Sequence, residues 1–364
     1  AIGAAVVLSI AALFPAEIFE KGGFRMEERF PIPAGLSDCL QTEYGFVLRD
    51  IAPAERGFYG ETWKIRTHAG AYFAKLDRWP CHKESYRASL PIVQYIADGG
   101  IAFVPRVIAT RRGQLCCAFQ GGILAVFAFA PGALLEEYAV EDLYGCLSQV
   151  YALRTDGLAL EAEDFGCAIP QTCARLAQAP ELPDAARVAL EKRQSAIARY
   201  ANRLARFSAI CQKDRSDFHI THGDAGGNFL SDGKQFFLVD WDSVKLAPIE
   251  RDAWVFMSNP AQLCAIQRTI NQNGIAYSLR WERLCYYSYF YFFSYLEGYL
   301  SSILSAAQER RGAQIAADMA AYLADSWIYA RLDAADASVT ENSLAASFAQ
   351  AEKTPCKSAG STLQ

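Results

Sequence analysis

The chain has 364 residues, of which 52% are hydrophobic and 21% charged. At roughly 100 to 200 residues per domain it can bury a large core spread over two domains or lobes, which excludes a disordered chain and a small disulfide-stapled scaffold. With 35 Lys and Arg against 40 Asp and Glu the net charge is −5, so a nonspecific grip on nucleic acid or on an anionic membrane has no electrostatic basis, and small molecules are the expected partners.

The 11 cysteines show no CxxC and no Cys/His ligand spacing. That is the pattern of reduced, mostly core thiols in a cytoplasmic protein, with no zinc site.

In chain order, the apolar opening from Ala1 to Phe14 is shorter than the roughly 20 residues of a membrane span and has no basic stretch before it. Met26-Glu27-Glu28-Arg29 reads as a natural polar start. Residues 1–25 are therefore expected to be an upstream or non-native extension, the alternative being an added helix on the first lobe. From Tyr44 to Ala130 the pattern is strand-like, with β-rich runs at Thr62–Thr67, Ala71–Lys75, Gln114–Phe119 and Ile123–Phe129. One helix, Lys83 to Ala97, interrupts them, with Leu90, Ile92, Val93 and Ile96 at near-helical spacing before Gly99-Gly100.

After Pro131-Gly132 the segments lengthen into amphipathic helices at Glu136–Thr155 and Pro183–Lys213. A β-rich island, Ile220–Val239, holds a hairpin turned at Asp232-Gly233. Helices resume by Ala253 and run to about Leu332, including an aromatic stretch, Leu284 to Leu304, that carries Glu297. A charge at that depth is costly in lipid, so the stretch reads as a buried helix. The expected units are an N-lobe at 26–130 with a hinge at about 127–132, a C-lobe at 131–340, and a frayed tail at 341–364. A β lobe with one helix, a connector and a helical lobe holding one hairpin is the order of a two-lobed kinase, although other α+β enzymes share it.

The densest chemistry is Thr221-His222-Gly223-Asp224-Ala225-Gly226-Gly227-Asn228, followed by Leu238-Val239-Asp240-Trp241-Asp242. An acid, an amide four residues on and a second acid past a hairpin can converge on one point. Phosphoryl transfer needs such a set, because a divalent cation takes hard oxygen ligands while another carboxylate orients the attacking hydroxyl. Taken singly, Asp224 could cap a loop and His222 could be a core histidine.

On these motifs the sequence resembles the aminoglycoside phosphotransferase and choline kinase-like family over about residues 40–335. The resemblance implies an α+β, bilobal protein kinase-like fold with a small β-rich N-lobe and a larger, mainly helical C-lobe. It implies Asp224 as the catalytic carboxylate and Asn228 and Asp240 as Mg²⁺ ligands, with ATP or GTP as co-substrate. The family commonly has four residues between the acid and the amide, where this chain has three.

Upstream, the resemblance implies that Lys75, the single lysine of an otherwise apolar strand, holds the nucleotide phosphates, with Glu84 as its partner. Gly57 and Gly60 fall in the expected nucleotide-covering hairpin, and the backbone at Ala128 and Ala130 falls in the adenine-binding hinge. Leu246–Asp252 resembles the corresponding segment of spectinomycin phosphotransferases; there Arg251 is expected to pair with a neighbouring acid, and Asp242 and Asp252 to be structural.

Residues 26–130 carry 12 Lys and Arg against 10 acids, and residues 131–364 carry 21 against 28. An acidic acceptor lobe suits a cationic, hydroxylated acceptor. The expected activity is ATP- or GTP-dependent O-phosphorylation of a hydroxylated amine, an aminoglycoside or aminocyclitol antibiotic leading, with antibiotic resistance as the consequence. The alternatives are a metabolite kinase of the choline, methylthio-sugar or homoserine type and a non-catalytic kinase-like binding protein.

Overall fold

A computed structural model describes residues 31–54, 60–79, 82–305 and 311–340. The expected extension at 1–25, Gly57 and the tail at 341–364 lie outside them.

Helix α1 (Leu36–Tyr44) is bounded by Gly35 and Gly45, both at positive φ, the conformation glycine adopts without a Cβ penalty. Its Leu36, Leu40 and Tyr44 recur every fourth residue and are buried on one face. They pack on one face of an antiparallel sheet built from β1 (Leu48–Pro53), β2 (Gly60–Thr67), β3 (Ala71–Asp77), β4 (Val107–Ile108), β5 (Cys117–Phe119) and β6 (Gly122–Ala128). The order is β1-β2-β3-β6-β4, with β5 also pairing β6. Alternation selects Trp63 and Ile65 from β2, Ala74 and Leu76 from β3, and Leu124 and Val126 from β6 for this small core. The run expected from Gln114 begins only at Cys117, because the Thr110 amide donates to the Gln114 carbonyl and the Gln114 amide to Thr110 Oγ1, closing a turn.

The other face of the sheet is covered by α2 (Lys83–Asp98), whose Tyr86, Leu90, Val93, Ile96 and Ala97 are buried. Their helical spacing is what makes this segment a helix among strands.

The second part is helical around two small ribbons. In chain order it comprises β7 (Ala133–Leu134), α3 (Val140–Tyr151), α4 (Ile169–Leu176), α5 (Asp184–Cys211), β8 (His219–Thr221), β9 (Phe229–Ser231), β10 (Phe236–Leu238), β11 (Lys245–Ala247), α6 (Glu250–Ala253), α7 (Pro260–Gln272), α8 (Trp281–Ser305), α9 (Arg311–Ala324) and α10 (Ile328–Thr340). The expected hairpin is β9-β10, extended by β7, while β8 pairs separately with β11.

The aromatic stretch is α8, the central helix, packed against α4, α5, α9 and α10. Tyr286, Tyr287, Tyr289, Tyr291, Phe292 and Phe293 on it are fully buried, and its Glu297 accepts from Ser301 Oγ at 2.7 Å. Among the described residues no helix is long and apolar enough to cross a membrane. This core gives rigid footing to the loop between β8 and β9 and to the segment after β10.

Candidate active site

The loop His222–Asn228 leaves the end of β8 and is held from below by Asp252 and Arg251. Asp252, on α6, accepts from the His222 and Gly223 amides and from Tyr151 Oη, the last at 2.9 Å. Arg251 donates to Thr221 Oγ1 at 3.0 Å and to the Ser243 carbonyl at 2.7 Å. The expected ion pair of Arg251 with an acid is thus replaced by hydrogen bonds to the chain on both sides of the loop. Gly223 has φ +86°, and a Cβ there would lie 2.3 Å from the Arg251 guanidinium, so both backbone conformation and space require glycine.

His222 is fully buried. Its Nε2 donates to the Val239 carbonyl at 2.8 Å, and its Nδ1 accepts from the Asp224 amide at 3.2 Å. The pair of bonds fixes one neutral tautomer. Burial, outweighing the nearby carboxylates, holds its pKa below the ordinary histidine value.

Because the unfolded chain takes up the proton first, this group contributes stability that is lost as pH falls below about 6.5. Asp224 and Asp242 act with the opposite sign, so the contribution is isolated as the difference between wild type and His222→Gln. Melting temperatures measured from pH 7.5 to 5.5 should fall more steeply for the wild type. Parallel curves would remove His222 as a neutral anchor.

Asp224 points its carboxylate above this support. The Asn228 amide nitrogen donates to the Asp224 carbonyl at 2.8 Å and to its Oδ2 at 3.3 Å. The shortened loop therefore still brings the amide to the acid and leaves the Asn228 side-chain oxygen free of that contact. The other carboxylate oxygen, Asp224 Oδ1, is buried without a hydrogen-bond partner. Burial first, then the charge of Asp240, raise the Asp224 pKa well above the usual carboxylate range. Tyr138 leans over the same loop: a Cβ on Gly226 would lie 2.8 Å from its hydroxyl.

Asp240 follows β10 with φ +62°, an uncommon backbone state for a residue with a side chain and one concentrated at functional positions. Lys75 Nζ donates to Asp240 Oδ1 at 2.6 Å and also to Asp242 Oδ2. β3 and the β10–β11 connection thus meet at one buried cation. Burial alone would lower the Lys75 pKa, but the two carboxylates reverse it and keep the ammonium charged. Burial pushes Asp242 up to about 6, opposed by Lys75 and reinforced by Asp240.

Asp242 is therefore part of the charged cluster. It faces His82 Nε2 at 4.0 Å, and His82 Nδ1 in turn contacts the buried Asp77.

Two expected roles change here. Glu84 does not reach Lys75: its side chain is 65% exposed and pairs with Arg87 at 3.9 Å. Tyr86 turns inward instead, with Lys75 Nζ 5.5 Å from its ring centre. At the hinge, the Ala128 amide is committed to the Arg106 carbonyl at 2.9 Å, so its N–H is not available to a ligand. The Ala130 amide makes no hydrogen bond among the described residues. Gly60 keeps space for a side chain of the protein itself: a Cβ there would lie 2.8 Å from Lys75 Cε.

Asp77 and Tyr138 escaped the sequence reading, and His82, which its charged neighbours Lys83 and Glu84 would place toward solvent, is buried. Asp77 sits two residues from Lys75 on the same strand face, which was the available signal. His82 and Tyr138 lie in connections whose course only the packed fold reveals.

The sequence profile of the phosphotransferase enzyme family matches residues 50–284. No curated protein matches the chain by sequence. Among solved structures, the chain is similar to spectinomycin phosphotransferase in complex with ADP and spectinomycin, at 17% identity and a TM-score of 0.66, covering 84% of this chain and 99% of that one. It is similar to the amicoumacin kinase in complex with AMP-PNP and Ca²⁺, at 15% identity and a TM-score of 0.55, covering 89% of this chain and 96% of that one. A microcompartment-associated aminopropanol kinase gives 15% identity and a TM-score of 0.54 over 85% of this chain and 98% of its own.

Proposed function

The chain belongs to the phosphotransferase enzyme family, and from that premise we propose that it transfers the terminal phosphoryl group of ATP or GTP to a hydroxyl of a small, amine-bearing acceptor. The observation that carries this reading is Asp224 Oδ1, a buried carboxylate oxygen with no partner, on a loop braced from below by Asp252. A buried polar atom left unbonded is costly unless a ligand meets it. An acceptor hydroxyl donating to it would be aimed at the terminal phosphorus and would pass its proton to Asp224 as the new O–P bond forms and the bond to the nucleotide breaks.

Lys75 places a charged ammonium beside Asp240, where it would meet the nucleotide phosphates. Among the described residues no group of three or more His, Cys, Asp or Glu side chains could hold a metal ion, so a metal caged by protein ligands alone does not fit. The hard oxygen donors of Asp240 and Asn228 suit a divalent cation shared with the nucleotide, and these two side chains would hold it. Bound there, Mg²⁺ would neutralise charge on the phosphates. The protein's remaining work is positioning and electrostatics. The hinge would offer the backbone at Ala130 to the base.

An amine-bearing acceptor is supported by the acidic balance of residues 131–364 and by the aminopropanol kinase among the fold neighbours; an aminocyclitol or aminoglycoside is the leading class within it. The test is a nucleotide-consumption panel of aminocyclitols, aminoglycosides, amino alcohols, choline and neutral sugars at saturating Mg²⁺-nucleotide. Cationic acceptors should be preferred. Their KM should rise from about 0.05 to 0.5 M salt, as the screening length falls from above 10 Å toward about 4 Å. A neutral sugar or alcohol used at least as efficiently as any cationic acceptor would overturn the acceptor class.

A further inference from the structure

Eleven cysteines without a ligand or disulfide spacing suggest inert core thiols, yet two of them are neither inert in position nor deep in the core. Cys39, on α1, and Cys117, at the start of β5, are 78 residues apart in sequence, and their sulfurs lie 3.8 Å from each other. Both are only partly buried, so a small reagent can reach them. Both pack on the small core between α1 and the sheet, whereas the neighbouring Cys116 packs against the larger core. Of the two adjacent thiols it is thus Cys117 that meets Cys39.

We propose that Cys39 and Cys117 form a modification site, two thiols positioned to close a reversible disulfide between α1 and the nucleotide-side sheet, with a small disulfide such as oxidised glutathione as oxidant. A disulfide needs its sulfurs at about 2.05 Å, a short approach for two side chains already in contact. One cysteine thiolate attacks oxidised glutathione and releases one glutathione thiolate. The second cysteine then attacks the mixed disulfide and releases the other. The protein loses two electrons and two protons, and the oxidant becomes two glutathione thiols.

The reacting thiolate is favoured at Cys39, because the hydrogen bond from Cys117 lowers the Cys39 pKa against burial and the charge of Glu43. Closing a loop of this length restrains the unfolded chain and clamps α1 onto β5 beside β6.

The test uses the full-length protein incubated with oxidised glutathione, then mapped by non-reducing peptide mass spectrometry. The expected product is an intramolecular Cys39–Cys117 cross-link, with a melting temperature several degrees above the reduced form and reversal by dithiothreitol. Cys39→Ser or Cys117→Ser should abolish cross-link and shift, while Cys116→Ser keeps both. Because the map is made on the unsubstituted chain, a variant that folds poorly does not decide the matter. Stable glutathionylation without closure, a cross-link through Cys116, or a disulfide between chains would each overturn the proposal.

Discussion

Replacing Asp224 with Asn is expected to lower kcat by about 10²- to 10⁴-fold, the usual worth of a positioned general base, while leaving nucleotide affinity and melting temperature close to wild type. The amide has the same shape, and it can still meet the Asn228 side chain, which bonds mainly to the Asp224 carbonyl at 2.8 Å. It cannot take the acceptor's proton. It also removes a buried carboxylate whose ionisation is opposed by burial and by Asp240, so the fold should not suffer. Steady-state kinetics with nucleotide binding by calorimetry separate the two effects. Turnover within about threefold of wild type would remove Asp224 from the chemistry.

Lys75→Met should have the other large effect, and on two observables at once. Lys75 is the cation between Asp240 and Asp242, with its side chain 9% exposed. Removing one member of a buried ion pair costs about 3–5 kcal/mol because the remaining charge stays buried. Part of that cost is relieved when a carboxylate takes a proton, and Asp242, already pushed up to about 6, is the one to do so. A carboxylate whose folded pKa is raised binds more protons folded than unfolded, so it costs stability as pH rises.

The variant should therefore melt well below wild type at pH 7.5 and recover part of the deficit by pH 5.5. Mg²⁺-nucleotide affinity should fall by at least tenfold, since the phosphates lose their ammonium. A variant with wild-type melting at both pH values would show that Lys75 is not the counter-charge of this cluster.

Much of the architecture was legible because it rests on local periodicity. The stripe Leu90, Ile92, Val93 and Ile96 marked α2 among the strands, and the aromatic run with Glu297 marked a buried central helix. The elements missed are short, among them α1 with 9 residues, β1 with 6, α4 with 8 and β11 with 3, and β11 exists through its partner β8 rather than through a pattern of its own.

At the site, the loop from His222 to Asn228 and the acid at Asp240 were legible as a motif, but the partner of Lys75 was not. Proximity to the helix start favoured Glu84. Yet at about 100° per residue, Glu84 falls nearly opposite the buried face of Tyr86, Leu90, Val93 and Ala97, and the helical phase already directed it to solvent. Asp242, 167 residues from Lys75, becomes its partner only through the packing of the two parts. Asp252 was legible only as a structural acid, and its bonds to the loop amides, which cross 29 and 30 residues, were hidden for the same reason.

The most direct test of phosphoryl transfer through Asp224 is mass detection of the acceptor after incubation with Mg²⁺ and γ-¹⁸O-labelled nucleotide, run in parallel with wild type and Asp224→Asn. The account predicts one labelled phosphoryl group on an acceptor hydroxyl with wild type and almost none with the variant. Nucleotide bound by both proteins, with no phosphorylated product from either across the acceptor panel, would contradict it.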